Sequence, residues 1–198
     1  MAGKVRTKRY HHGDARVALL DAVETIVRDE GIEAVTIRAA AKAIGVSHTA
    51  AFRHFSDKRE LLTAFATRCA NALGDQMERE AAGAENRDTA FYRIGVGYLR
   101  FALERPGAFR AVFRDALLDP EDSAYRAAMQ RLEGLLVGEK PSAVGDPLPP
   151  EALLAWGATH GLATLAADGA LDDLPQETRS LKNLSSVLSL LNSSAERD

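Results

Sequence analysis

The sequence predicts an all-α protein, with a three-helix helix-turn-helix head joined by one long helix to a helical bundle. Three observations carry that prediction. Ala and Leu dominate a composition that is 46% hydrophobic and 27% charged, and few stretches alternate Val, Ile and Thr as strands require. Apolar residues recur at helical spacing between glycine and proline breaks. The stretch from Thr36 to Phe55 carries the small residue and the glycine that two steeply crossing helices need.

The elements follow in order. Residues 1–13 form a basic arm with Lys4, Arg6, Lys8 and Arg9, and no acid precedes Asp14. From Asp14 a helix runs to about Glu30 with Leu19, Val23, Ile26 and Val27 on one stripe, and Gly31 stops it. Two short helices follow at about 37–43 and 47–54. A fourth starts at Ser56-Asp57, gains Glu60 in its first turn and runs on into the eighties. Further helices are expected near 88–104, 107–117, 123–137, 151–167 and 176–191. The clearest punctuation is Arg105-Pro106-Gly107 and the proline-rich loop from Pro141 to Pro150. A domain boundary is placed near residue 60, giving a head at 1–60 and a bundle at 61–198.

Within the head, Ala41 is the small residue where two helices touch, and Gly45, four residues on, takes the left-handed turn. Ser47 caps the second helix of the pair. Ile37, Ala40, Ile44, Val46, Ala51 and Phe55 close a small core with the first helix. That leaves Ser47, His48, Thr49, Phe52, Arg53 and His54 on the outside or rim, where a helix N-terminus reaches base edges in a major groove. Thr36 and Arg38 open the preceding helix, where free N–H groups and a cation suit a phosphate, and Lys58 stands on the other flank.

Charge agrees with a polyanion partner at one end only. The net charge is −3, but residues 1–60 hold 11 Lys+Arg against 8 Asp+Glu, and residues 61–198 hold 14 against 20.

These residues, above all Thr36 to Leu62, resemble the DNA-binding domain of the TetR family of regulators. The resemblance implies phosphate contacts from Thr36, Arg38 and Lys58, and base or backbone contacts from Ser47, His48, Thr49, Phe52, Arg53 and His54. Phe52 stands where the family usually has a tyrosine, so it lacks the hydroxyl that would bond a phosphate. Trp156-Gly-Ala-Thr-His160-Gly161, with Tyr98 to Phe109 before it, resembles the Trp-x-x-x-His-Gly signature of one subgroup of effector domains. By this resemblance residues 61–198 form an effector-binding and dimerisation domain. The chain is then a ligand-responsive repressor, released from a palindromic operator by a small molecule. The fourth helix would act as the lever between effector and recognition helices.

A cavity is expected between the fourth helix and the helices at 88–117 and 151–167. Its walls are Phe101, Phe109, Phe113 and Trp156, with His160 as polar anchor, which suits an apolar or aromatic effector. A homodimer is expected through the last two helices, using Leu181, Leu184, Leu188 and Leu191 with Trp156, His160 and Ala163.

Other classes find little support. Cys69 is the only cysteine, which excludes an intrachain disulfide and a multi-cysteine metal site. No signal-peptide core or membrane-length apolar run is present, so a reducing cytoplasm is expected. His11-His12 lacks further ligands, Gly95-Val-Gly97 lacks the rest of a dinucleotide fingerprint, and the Asp119–Asp122 and Asp168–Asp173 clusters lack calcium-loop spacing. No enzyme, metal or cofactor is expected. The competing reading is a helical small-molecule-binding or scaffolding protein with a DNA-inactive head, against which the basic arm and Thr36, Arg38, Arg53 and Lys58 weigh.

Overall fold

Capping side chains fix where several helices start. The structure, a computed structural model, describes residues 12–137 and 150–195. Among these residues the helices are α1 (His12–Glu30), α2 (Ile37–Ala43), α3 (His48–Ala51), α4 (Lys58–Ala81), α5 (Arg87–Glu104), α6 (Pro106–Val112), α7 (Ser123–Val137), α8 (Pro150–Ala167) and α9 (Leu181–Ala195). Short 3-10 turns cover Ile32–Ala34 and Asp115–Leu117, and the described residues contain no strand. Residues 1–11 of the basic arm and residues 138–149 lie outside the described residues, as does the side chain of Leu191, whereas His12 and Gly13 already belong to α1 and Pro150 opens α8.

The side chains of Thr36, Ser47, Asp57 and Asn86 accept hydrogen bonds from the backbone N–H three residues on, so each satisfies a donor that the first helical turn leaves free. Gly45 has φ 71° at the turn between α2 and α3, a conformation that a side chain would strain.

Three elements differ from expectation. The α3 helix closes at Ala51 and residues 52–54 continue as turns, because Arg53 and His54 bond carbonyls three residues back instead of four. The segment expected as one helix at 107–117 breaks after Val112 into α6 and a 3-10 turn. The last helix begins at Leu181, five residues late, after a turn in which Thr178 bonds back to Pro175.

The core is continuous from head to body. In α4 the side chains of Leu61, Phe65, Ala66, Cys69, Leu73 and Met77 are each 1% exposed or less. The helix packs against α1, α5, α6 and α7. On the stripe of α1, Leu19, Val23, Ile26 and Val27 are buried as expected, together with Ile37, Ala40, Ala51 and Phe55, while Ile44 and Val46 are partly buried. Burial pushes the Cys69 thiol up to about 12, which removes it as a nucleophile.

Contact between α4 and α5 is backbone to backbone. A Cβ at Gly97 would lie 2.8 Å from the Met77 Cα and 3.0 Å from the Gln76 carbonyl oxygen, so one helix would have to move. Gly97→Ala should therefore destabilise the fold by about 1–3 kcal/mol, the usual cost of overpacking, despite its better helix propensity. Urea unfolding of the two proteins checks this, with a lower midpoint expected for the variant.

Candidate functional site

The outward face of the head is built by α3 and the ends around it. Ser47, His48, Thr49, Phe52 and Arg53 are exposed, and His54 is half-buried. Thr36 and Arg38 are exposed at the start of α2. Thr36 and Ser47 also serve as caps, so their hydroxyls are already committed to Ala39 N–H and Ala50 N–H. The Phe52 ring stands edge-on to His48 with centroids 4.5 Å apart, an arrangement that holds an apolar ring outward. Lys58 is turned differently from expectation: its Nζ donates to the Glu33 carbonyl at 3.1 Å. The Glu33 carboxylate in turn receives Arg114 at 3.1 Å, which ties the head to the segment after α6.

A cavity of about 230 Å³ lies in the body. It is lined by Tyr98 of α5, Phe113 at the end of α6, Met129, Leu132, Glu133 and Leu136 of α7, and Trp156 of α8. Of the expected walls, Phe113 and Trp156 are present. Phe101 and Phe109 are not lining residues. Phe101 is buried with the Arg105 guanidinium 5.1 Å above its ring, and Phe109 is buried edge-on to Tyr98. The far wall is α7, where α4 was expected. Nothing in the periodicity of α7 announces this, since only the chain's path brings it opposite α5 and α8.

A polar pair beside the cavity joins Tyr98 and His160, the Tyr98 hydroxyl lying 2.8 Å from the imidazole Nδ1. Burial pushes the phenol up and the imidazole down, so both stay neutral near pH 7. The phenol can donate to Nδ1 of one neutral tautomer or accept from Nδ1–H of the other, so either tautomer keeps the bond. His160 also packs against Phe113 at 4.8 Å, so it buttresses a cavity wall. Arg100, Arg110 and Arg114 are engaged away from the cavity, by Glu80, by the Ala167 carbonyl and Asp168, and by Glu33. Among the described residues no His, Cys, Asp and Glu cluster could hold a metal, and no helix is long and apolar enough to cross a membrane.

Residues 19–65 match the family described as bacterial regulatory proteins, tetR family, and residues 91–185 match the tetracyclin repressor-like C-terminal domain. The chain belongs to the TetR family. It is a DNA-binding transcriptional regulator, and the head described above is the part that meets DNA in this family. An uncharacterized HTH-type transcriptional regulator of Mycobacterium tuberculosis is 25% identical over 162 residues, 81% of this chain and 73% of that protein. The structure of a protein with unknown function from Rhodococcus sp. RHA1 is 28% identical with TM-score 0.75, covering 95% of this chain and 98% of that one. A TetR family transcription regulator from Marinobacter aquaeolei VT8 shares the fold, with 21% identity, TM-score 0.64 and coverage of 89% and 94%.

The half-buried imidazole has a pH signature. Its pKa is held below the ordinary 6.5, so the unfolded chain binds the proton more readily. The stability this confers is complete above pH 6.5 and drains as pH falls through the depressed value. His160→Gln should lose less stability than the parent between pH 7 and 5, as read by thermal melts across that range. Parallel losses would show that the imidazole is not protected.

Proposed function

We propose that this TetR family regulator is a homodimeric repressor released from a palindromic operator by a small molecule bound in the cavity at Phe113. In this reading residues 1–60 are the DNA-binding head, 61–198 the effector and dimerisation domain, and the protein acts on DNA in the cytoplasm. The observation that carries it is the position of Phe113: its ring lines the cavity, and the next residue, Arg114, holds Glu33 of the head. A ligand that displaces Phe113 thus pulls on the segment that also holds Lys58. The ligand needs only a differential affinity for the two arrangements of the head.

On DNA, Arg53 and His48 serve as base readers, with Ser47, Thr49 and His54 around them, and Thr36 and Arg38 meet phosphate. The exposed Phe52 ring suits an apolar base feature such as a thymine methyl. Lys58 exchanges the Glu33 carbonyl for a phosphate oxygen when the head docks.

The dimer uses α8 and α9, but two of the four leucines expected there are spent within the protomer, while Leu181 is half-buried. Leu184 and Leu188 are buried inside the protomer, and a Cβ at Gly95 of α5 would meet Leu188 at 2.8 Å. The exposed large apolar side chains of these helices instead include Leu153, Leu154 and Leu165 of α8 with Val187 and Leu190 of α9. Gly157 and Gly161 have open space where a Cβ would stand, so a partner helix could approach closely there. Trp156, His160 and Ala163 are not equally accessible: Trp156 is exposed, His160 half-buried and Ala163 fully buried.

Two experiments test these assignments. Arg53→Ala should weaken operator binding by about 1–3 kcal/mol and relax sequence preference, whereas Lys58→Ala should weaken all sequences alike and flatten the salt dependence. A double variant with unchanged affinity and salt slope would overturn the recognition surface. Leu165→Glu places a carboxylate on a residue that is 45% exposed in the protomer, so the monomer tolerates it while a dimer must bury it. Sedimentation should show monomers; an unperturbed dimer would put the interface elsewhere.

A further inference from the structure

The cavity lining combines three aromatic rings, three aliphatic or thioether side chains and a single carboxylate. Tyr98, Phe113 and Trp156 supply the rings, and Glu133 supplies the charge. Glu133 is exposed and therefore marks the solvent side of the cavity. Among the described residues no Lys or Arg lines the cavity and no cation pairs with Glu133. Its neighbour Arg131 faces the other way and is occupied by Asp75 and Glu78, each at 2.8 Å. Among the described residues the charge of Glu133 thus has no cationic partner at the opening of an aromatic chamber.

We propose that the ligand of this cavity is an organic cation with an apolar or aromatic body. Its positive end sits at the Glu133 carboxylate, and its body is received by the faces or edges of Tyr98, Phe113 and Trp156. A cation gains from both features, because aromatic faces carry negative potential and a carboxylate beside a low-dielectric chamber attracts it over several ångströms. An anion meets the carboxylate and no compensating charge. A neutral body gains the apolar contacts and nothing from Glu133. The Tyr98–His160 pair does not offset this preference, since the two groups bond each other and neither is charged near neutral pH.

This inference rests on the reading of the cavity as the effector site, and the test separates the two. The full chain is titrated with benzyltrimethylammonium and with its uncharged carbon isostere, neopentylbenzene. Binding is followed by the fluorescence of Trp156, the sole tryptophan. The cation should bind more tightly than the isostere, and Glu133→Gln, on an exposed side chain, should lower that preference about tenfold. Operator affinity is then measured at saturating cation. Cation preference with an unchanged operator affinity would uphold the cation site and overturn its regulatory role. A preference that Glu133→Gln leaves intact, or tighter binding of neopentylbenzene, would overturn the cation assignment while leaving a ligand cavity. If neither compound perturbs Trp156, the cavity takes no such ligand and both readings fall.

Discussion

Burial of one continuous face of α4 is the constraint on which the other parts depend. Its first turns, at Leu61 and Leu62, belong to the packing of the head, and its later turns, at Leu73 and Met77, to the body. Full burial of side chains this size stabilises the fold by roughly 1.5–3 kcal/mol each. More important is that the packing leaves no slack. Where Gly97 meets Met77 the helix backbones touch, so α4 and α5 cannot slide independently. Close-packed interiors respond by moving whole elements between alternative arrangements, as the proposed ligand response requires.

The head is tied to the body by a second set of contacts, through α6. Gly107 lies so close to Val27 of α1 that a Cβ would come within 2.9 Å of its side chain. Glu24 of α1 is gripped by Arg105 and by Arg68 of α4, the latter at 2.9 Å. At the other end of α6, Phe113 faces the cavity and Arg114 holds Glu33. Taken singly, partly exposed ion pairs contribute little to stability. Their role here is positional: they join the segment after Phe113 to the loop before α2. In the proposed mechanism this contact offers a shorter route beside the helix-four lever expected from the sequence.

Much of the head was legible in the sequence because its determinants are local. Ala41, Gly45 and the caps Thr36, Ser47 and Asp57 act within a few residues of themselves, and the spacing of Ile37, Ala40, Ala51 and Phe55 already defines an inner face. The body was legible as helices but not as an arrangement. Helical periodicity marks Leu184 and Leu188 as an apolar stripe, yet cannot say whether that stripe meets α5 or a second subunit, and it meets α5. Met129, Leu132 and Leu136 read equally well as ordinary core, so the contribution of α7 to the cavity was invisible. Glu133 resembles any solvated glutamate until α8 is set opposite it. Lys58 looked free for phosphate because its partner, the Glu33 carbonyl, is 25 residues away in sequence.

The central claim is that the contents of the cavity at Phe113 are felt by the DNA-binding head. Filling the cavity without any ligand tests it most directly. Met129→Trp places a large ring in the space beside Phe113, and fluorescence of the introduced indole, in a Trp156→Phe background, reports whether it is buried there. With the ring buried, operator affinity should fall about five- to 150-fold, the usual range of coupling between two sites. A buried indole with operator affinity equal to that of the Trp156→Phe parent would contradict the account.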